Sequence, residues 1–263
     1  MIFRFRANTF NQTMNLDLQS IQLQRITQAS TADYSIIPDE YCVLGVQVRG
    51  RIHTLKENSF QALNVIGITG MMTEQKTFRS EQDTISFLLR IAPNSLAPYL
   101  PLPMNKILNE SIPLETLFPQ NVVDDLRENS LQEFQEDRES GWAWKRFLFG
   151  LKVYKEEPKY LSESLKKIRS QAGEISISSL ASDLGISQSK LEKDYRVFLG
   201  LSPKDYASLV RFRNAIRLKN ESSNLTDLAY LSGYYDQAHF IREFKKRTGK
   251  SPKKWFRTKS TID

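Results

Sequence analysis

The sequence predicts an α+β protein, with a β-rich N-terminal domain, barrel-like or sandwich-like, that carries trailing helices, and an all-α C-terminal domain. Three observations lead to this fold class. Short apolar or alternating runs fill residues 1–91, six prolines fall between residues 92 and 119, and a helical pattern occurs twice after residue 158. The 263 residues suffice for two domains of ordinary size.

Four runs in the first part of the chain favour β-strands. They are residues 41–49, 51–55, 62–69 and 84–91. Weaker alternation at residues 15–18 and 21–26 is consistent with two short strands. Because glycine, asparagine and charged turns separate these runs, a small barrel or sandwich is expected.

The segment that follows changes in character. Its prolines exclude a long unbroken helix and predict short helical turns. Helical periodicity returns over residues 122–153 and includes the aromatic cluster Trp142–Phe149. Packing of these helices onto the β-domain is one interpretation, and a subunit interface is the other, because interfaces favour Trp and Phe. We therefore interpret residues 1–154 as a sensor or dimerisation domain, β-rich over 1–91 and proline-rich and helical over 92–154.

The last hundred residues contain a pattern that occurs twice with an offset of 49. In the second copy, Asp236 is a good helix N-cap, Phe240 and Phe244 share one helix face, and Gly249 followed by Pro252 ends the helix. The aligned pairs are Ser187 and Asp236, Leu191 and Phe240, Tyr195 and Phe244, Gly200 and Gly249, and Pro203 and Pro252. Upstream, Leu180-Ala181 and Leu228-Ala229 also correspond, with one extra residue before the second N-cap.

Each copy is a short helix, a glycine turn and a longer capped helix, which is the helix-turn-helix signature. The units cover about residues 177–200 and 226–249. Between them, an amphipathic helix over residues 204–219 would span roughly 24 Å at 1.5 Å per residue. A rigid connector of this length can set two recognition helices about one DNA turn, roughly 34 Å, apart.

Charge and composition narrow the function further. Residues 175–263 hold 17 Lys and Arg against 9 Asp and Glu, whereas the rest of the chain holds 20 against 21. The basic excess therefore belongs to the helix-turn-helix region and indicates a polyanion partner, double-stranded DNA. One cysteine, Cys42, and two histidines exclude an intrachain disulfide and a histidine-rich metal centre. No metal, cofactor or catalytic residue is predicted. No run has the length of a membrane helix and the N-terminus lacks a secretory apolar core, so a cytoplasmic protein is expected.

Residues 158–259 resemble the DNA-binding domain of the AraC/XylS family of bacterial transcriptional regulators. The match is carried by Gly200-Leu-Ser-Pro-Lys-Asp-Tyr206, Gly233-Tyr-Tyr-Asp-Gln-Ala-His-Phe and Thr248-Gly-Lys-Ser-Pro252, with the aromatic Trp255 after it. Asp194 and Tyr195 depart from the family pattern, which commonly has a basic or apolar residue and Phe there.

The N-terminal half resembles the uncharacterised sensor-like domain of one AraC-type subgroup. The resemblance rests on Thr84-Ile-Ser-Phe-Leu-Leu-Arg-Ile-Ala-Pro and on the proline-rich stretch that ends in Ile112-Pro-Leu-Glu-Thr-Leu-Phe. A Pro-Gly-Gly often follows this strand in the subgroup, and Pro93-Asn-Ser replaces it here. The resemblance implies a regulatory β-domain and names no effector.

Helical geometry selects the side chains that face DNA, and the resemblance implies the same positions. The expected base-contacting residues are Gln188, Ser189, Glu192 and Lys193 in the first unit, and Gln237, Ala238, Ile241 and Arg242 in the second. The expected phosphate-contacting residues are Arg196, Lys204, Lys245, Lys253 and Lys254. Arg and Lys suit guanine, Gln suits adenine, Glu suits cytosine and apolar side chains suit the thymine methyl group. Positively charged side chains further from the bases contact phosphates.

The function predicted is a sequence-specific transcription regulator and not an enzyme, controlled by its N-terminal domain. RNA polymerase, an unknown small-molecule effector and a second copy of the chain are candidate partners, and no membrane is expected. An enzyme lacks support, because no metal cluster, nucleophile elbow or phosphate loop is present and Cys42 lies within an apolar strand. A DNA-repair protein with a methyl-accepting cysteine would need a cysteine cluster, which this sequence lacks. An architectural DNA binder is disfavoured by the varied residues on the outer faces.

Overall fold

The computed structural model describes residues 3–6, 22–136, 141–222 and 224–257. The strands are β1 (Phe3–Arg6), β2 (Gln22–Gln28), β3 (Ala32–Ile36), β4 (Cys42–Arg49), β5 (Ile52–Lys56), β6 (Ser59–Ala62), β7 (Ile66–Thr69), β8 (Lys76–Ser80), β9 (Thr84–Ile91) and β10 (Ser111–Pro113). The helices are α1 (Pro93–Leu96), α2 (Gln120–Gln135), α3 (Trp142–Phe149), α4 (Lys159–Ser170), α5 (Ile177–Asp183), α6 (Gln188–Phe198), α7 (Pro203–Leu218), α8 (Leu225–Leu231), α9 (Gln237–Thr248) and α10 (Pro252–Arg257). Within these ranges no helix combines the length and the apolar character that a membrane span requires.

The strands form two antiparallel sheets. The first has the order β1-β2-β9-β4-β7-β10 and the second the order β3-β8-β5-β6. Strand β4 lies in the middle of the larger sheet, where Cys42, Leu44 and Val46 alternate along the strand and are each 0% exposed. This period of two places one face of the strand in the core. The two-sheet β-region followed by helices confirms the predicted α+β class.

Strand predictions were correct where the apolar pattern is strong, at β4, β5 and β9. The alternating run at residues 21–26 falls on β2, which pairs with β9. The run at residues 15–18 lies outside the described residues. Strands β1, β3, β6, β8 and β10 were missed, because they are only three to five residues long and contain few apolar residues.

The run over residues 62–69 does not form one strand. Ala62 ends β6 in the small sheet, and Ile66 begins β7 in the large one. Between them, the Gln47 side-chain amide donates to the carbonyl oxygen of Asn64 at 2.6 Å, and the Gln47 main-chain N–H donates to that of Val65 at 2.8 Å. These bonds hold the connection where the chain crosses from one sheet to the other, and apolar patterning alone does not reveal them.

The aromatic cluster of α3 packs mainly inward. Trp144, Phe147 and Leu148 are buried, and the Phe147 ring meets the Phe118 ring edge-on with centroids 5.4 Å apart. The carboxylate of Glu133 in α2 accepts the main-chain N–H groups of Trp142 and Ala143, at 2.7 and 3.1 Å, and so caps the start of α3. Packing within the chain therefore accounts for most of the cluster.

The C-terminal helices lie close to their predicted bounds. The linker helix is α7, and it begins at Pro203, one residue before the predicted start. Pro252 was expected only to block continuation, but it also begins the short helix α10. Proline is favoured at the first helical position because the N–H it lacks would be unpaired there. Between α6 and α7, Gly200 has a φ of +89°, and a Cβ added to it would lie 3.0 Å from the carbonyl oxygen of Met104, so only glycine fits.

Candidate DNA-binding surface

The first helix-turn-helix unit consists of α5 and α6. The Ser187 hydroxyl accepts the Lys190 main-chain N–H at 3.2 Å and so caps the N-terminus of α6, as predicted. Leu191 and Tyr195 are both 0% exposed and fix the inner face of this helix. The opposite face of α6 is thereby turned to solvent.

The solvent-facing side chains of α6 include the predicted set. Gln188, Ser189, Lys193 and Arg196 are exposed, and Glu192 is partly exposed. The Gln188 amide donates to the Glu192 carboxylate at 3.0 Å. This pair lies at positions i and i+4 of the helix, so the carboxylate already has a donor before any DNA approaches.

The two residues that depart from the family pattern make polar contacts with α4. Asp194 accepts a hydrogen bond from the Tyr160 hydroxyl and a second from the Lys190 ammonium at 3.1 Å. The Tyr195 and Ser164 hydroxyl oxygens are 2.8 Å apart. Burial raises the pKa of Tyr195 well above its usual value, so the phenol stays protonated at neutral pH. The departures therefore tie α6 to the helix behind it.

The second unit consists of α8 and α9. The Asp236 carboxylate accepts the His239 main-chain N–H at 2.6 Å and caps α9, and Gly249 ends it with a φ of +69°, both as predicted. Phe240 and Phe244 are 0% exposed. Phe244 lies at the centre of an aromatic cluster whose other members are Phe212, Phe240, Trp255 and Phe256, with ring centroids 5.3 to 5.5 Å from its own.

The outer face of α9 carries most of its predicted set. Gln237, Ala238, Arg242 and Lys245 are exposed. Ile241 is only partly exposed and packs against the core, so less of it is accessible than the helical pattern predicted. The structure brings the others onto one continuous helix face.

The remaining predicted cations lie just beyond the two helices. Lys204 follows Pro203 at the start of α7, and Lys253 and Lys254 lie in the first turn of α10. All three side chains are exposed. Each therefore flanks the end of a recognition helix.

Sequence reasoning missed one polar residue at this surface. Thr226 lies in the first turn of α8, and its hydroxyl donates to the Gln237 side-chain oxygen at 3.4 Å. The start of α8 thus lies beside the start of α9. Ser178 occupies the corresponding place in α5, two residues before the repeated Leu-Ala pair. A hydroxyl at this place in both copies was the available signal.

Glu40 of the N-terminal region contacts the two helices that flank the first unit, α4 and α7. The Glu40 carboxylate accepts from Arg169 of α4 at 2.7 Å and from the Tyr206 hydroxyl of α7. Burial would lower the pKa of Arg169, but Tyr206 and Glu40 raise it above its usual value. Burial, and then Glu40, raise the pKa of Tyr206. Arg169 therefore stays cationic and Tyr206 neutral at physiological pH.

A cavity of about 400 Å³ opens between the larger sheet and α2. Its walls come from the connection before β7, from β10 and from the first two turns of α2. The polar and charged residues that line it are Asn64, Glu115, Gln120, Asp124 and Arg127. Both signs of charge are present, so a polar ligand would suit it better than an apolar one.

Two sequence comparisons each match part of the chain. The family described as "Helix-turn-helix domain" matches residues 180–258. The Msm operon regulatory protein of Streptococcus mutans is 33% identical over 98 residues, which are 36% of this chain and 35% of that protein. Residues 180–258 therefore form a helix-turn-helix domain. The match thus spans about a third of the length of this curated relative.

Two solved structures of bacterial proteins are similar to the chain at low sequence identity. ToxT from Vibrio cholerae O395 is 14% identical, covers 90% of this chain and 97% of its own, and has a TM-score of 0.48. The C-terminal domain of AraT from Geobacillus stearothermophilus is 22% identical, covers 41% of this chain and 93% of its own, and has a TM-score of 0.38.

Proposed function

We propose that the protein is a sequence-specific transcription regulator that inserts α6 and α9 into successive major grooves of DNA. One observation carries the proposal: two capped helices with buried inner faces and exposed polar outer faces are joined by the 16-residue helix α7. A helix of this kind fits the major groove, and two on one rigid connector can enter neighbouring grooves. Catalysis has no part in this function.

We assign DNA binding and its control to the two expected domains. Residues 158–259 bind DNA, and residues 1–154 control them. Base contacts come from Gln188, Ser189, Glu192 and Lys193 of α6 and from Gln237, Ala238, Ile241 and Arg242 of α9. Arg196, Lys204, Lys245, Lys253 and Lys254 contact phosphates. The exposure of these cations supports the second assignment.

Selection of bound sites from a random DNA pool tests the proposal. We expect enrichment of one bipartite site whose halves are centred about 10 base pairs apart. Competition against random duplexes then gives the specificity ratio. Equal binding to all duplexes would support an architectural DNA binder instead. Absence of DNA binding at moderate salt would contradict both the specific regulator and the architectural binder.

An effector is the proposed input to the N-terminal region. The cavity beside α2 is its proposed site, because it combines a volume suited to a small molecule with amide, carboxylate and guanidinium groups. Thermal shift of the wild type and of Arg127→Ala against a panel of small polar molecules tests this. A compound that stabilises only the wild type supports the site, and equal shifts for both proteins would place the ligand elsewhere.

The other candidate partners rest on narrower observations. Trp142 and Phe149 of α3 are each 45% exposed and offer a surface for a second copy of the chain. Sedimentation at micromolar concentration tests the dimer, and a monomer would remove it. RNA polymerase is the proposed partner at the promoter, and the bacterial cytoplasm, where DNA and polymerase are found, is the proposed location.

A further inference from the structure

The second unit is attached to the β-region through a short loop between β7 and β8. The Gln75 main-chain N–H donates to the carbonyl oxygen of Arg247, at the end of α9, at 2.6 Å. The Gln75 side-chain oxygen accepts the indole N–H of Trp255 in α10 at 3.1 Å. One residue of the loop therefore contacts both α9 of the second unit and α10, the helix that follows it.

Arg247 strengthens this attachment from inside. It is 7% exposed, and its guanidinium donates to the Thr73 carbonyl at 3.3 Å and to the Ser208 hydroxyl of α7 at 2.9 Å. Ser208 in turn donates to Glu243 at 2.8 Å. Loop, linker helix and recognition helix are thus joined by one buried cation, which is costly to leave without its partners.

The loop is itself held by Asn109. The Asn109 side-chain oxygen accepts the Thr73 main-chain N–H at 2.7 Å, and its amide donates to the Thr73 hydroxyl at 2.9 Å. The Asn109 carbonyl accepts the Lys76 ammonium. Asn109 has a φ of +61°, so the backbone of this turn already has a conformation that suits glycine.

The segment that contains Asn109 also contacts the first unit. It runs over residues 104–110, and its Met104 carbonyl faces Gly200 at the end of α6. A Cβ at Gly70, in the β7–β8 loop, would lie 1.9 Å from the Ile107 carbonyl oxygen, so segment and loop pack without a gap. One short segment therefore connects the C-terminal ends of both recognition helices.

These attachments lie behind the helices and leave the DNA-facing side open. They involve Gly200 after α6, Arg247 at the end of α9 and Trp255 in α10. The N-terminal turns of both recognition helices remain exposed. The arrangement can therefore fix the positions of the two units relative to each other, and it does not cover their DNA-facing side.

We propose that the 104–110 segment and the Thr73–Gln75 loop fix the relative placement of the two helix-turn-helix units, with Asn109 as the positioning residue. This rests on the proposed function, because it concerns simultaneous binding of two half-sites. Two linked modules gain affinity only when their geometry allows both to bind at once. A loosened segment lowers that gain while each unit keeps its own contacts.

Asn109→Gly in the full chain tests the proposal, because glycine keeps the turn and deletes every hydrogen bond from the Asn109 side chain to Thr73. Asn58→Gly is the matched control: Asn58 has a φ of +67° in the exposed turn between β5 and β6. Binding is measured on the selected full site, on duplexes with either half-site scrambled, and on full sites lengthened or shortened by one base pair. Gln75→Ala provides a second variant, which removes the acceptor for Trp255.

We expect Asn109→Gly to weaken full-site binding about tenfold, to leave single half-site binding unchanged within about twofold, and to flatten the spacing preference. Gln75→Ala should likewise lower the ratio of full-site to half-site affinity, and Asn58→Gly should leave that ratio unchanged. Wild-type full-site affinity and spacing in Asn109→Gly would overturn the proposal, as would equal losses on full and half-sites. If no specific site is selected for the wild type, the proposed function itself fails.

Discussion

The two helix-turn-helix units share their caps but differ in what holds their recognition helices. In the first unit, Tyr195 reaches a hydroxyl of α4 and Asp194 binds Tyr160, so polar contacts fix α6. In the second unit, Phe244 occupies the aligned position inside a purely aromatic cluster. A repeated backbone pattern can therefore be stabilised by different chemistry in each copy.

The recognition helices also differ in charge. Helix α6 carries three basic and two acidic residues, whereas α9 carries four basic and one acidic. Arg242 aligns with Lys193, and only arginine offers a planar fork for two parallel hydrogen bonds to guanine. We therefore expect the second unit to contribute more than the first both to affinity and to base discrimination.

The largest effect is expected from the aromatic cluster. Phe244→Ala should lower the free energy of unfolding by about 3–5 kcal/mol, because it leaves a cavity among rings that cannot close it. Chemical denaturation followed by circular dichroism measures it. Tyr235→Ala is the control in the same unit, because this side chain is 88% exposed. A loss below that of an ordinary surface substitution would show that the cluster is not essential to the second unit.

Arg242→Ala should weaken binding to the selected site by about 1–3 kcal/mol and relax the preference at one base pair. Lys193→Ala, at the aligned position, should cost less, because lysine lacks the bidentate geometry. Competition binding against duplexes that each carry one base substitution measures the change in site preference for the two variants. Unchanged affinity and site preference in Arg242→Ala would remove this residue from base contact, and a larger loss for Lys193→Ala would reverse the ranking of the units.

Tyr195→Phe should cost about 1 kcal/mol of stability, the usual net contribution of one hydrogen bond. Ser164 keeps its bond to the Leu161 carbonyl at 2.6 Å, so no buried hydroxyl is left without a partner. Thermal unfolding measures the change. A loss as large as that of Phe244→Ala would mean that the Tyr195 hydroxyl alone stabilises the first unit as much as the whole Phe244 ring stabilises the second.

The smallest effect is expected at the flank of the second unit. Lys253→Ala should weaken binding to all sequences alike and reduce the slope of log K against log salt by about 0.9. Titrations at several salt concentrations check this, with Lys152→Ala, whose side chain lies in the N-terminal region, as the control. A loss confined to the selected site would instead assign Lys253 to base recognition.

The sequence predicted the helical region closely, because helix caps and helical periodicity are both local signals. Caps at Ser187 and Asp236 and the left-handed glycine at Gly249 depend only on neighbouring residues. The inner faces, with Leu191 and Phe240, followed from the period of the helix. The DNA-facing residues stay a prediction, supported by their exposure.

The contacts between the two regions could not be predicted in this way. Glu40 lies 129 residues from Arg169 in the chain, and Gln75 lies 180 residues from Trp255. Such pairs depend on how the sheets and helices pack together, which no local pattern encodes. The contact of the Gln47 amide with Asn64 is also non-local, and it lies where one predicted strand divides into two.

Cys42, at the start of β4, is the single cysteine of the chain and is 0% exposed, and burial raises the pKa of its thiol to about 12. Thiol reagents act on the thiolate of an accessible side chain, so the native thiol will not react at neutral pH. The wild-type chain can therefore accept engineered cysteines without removal of its own. A spin label on α6 and another on α9 would report directly how far apart the two recognition helices lie, before and after DNA is added.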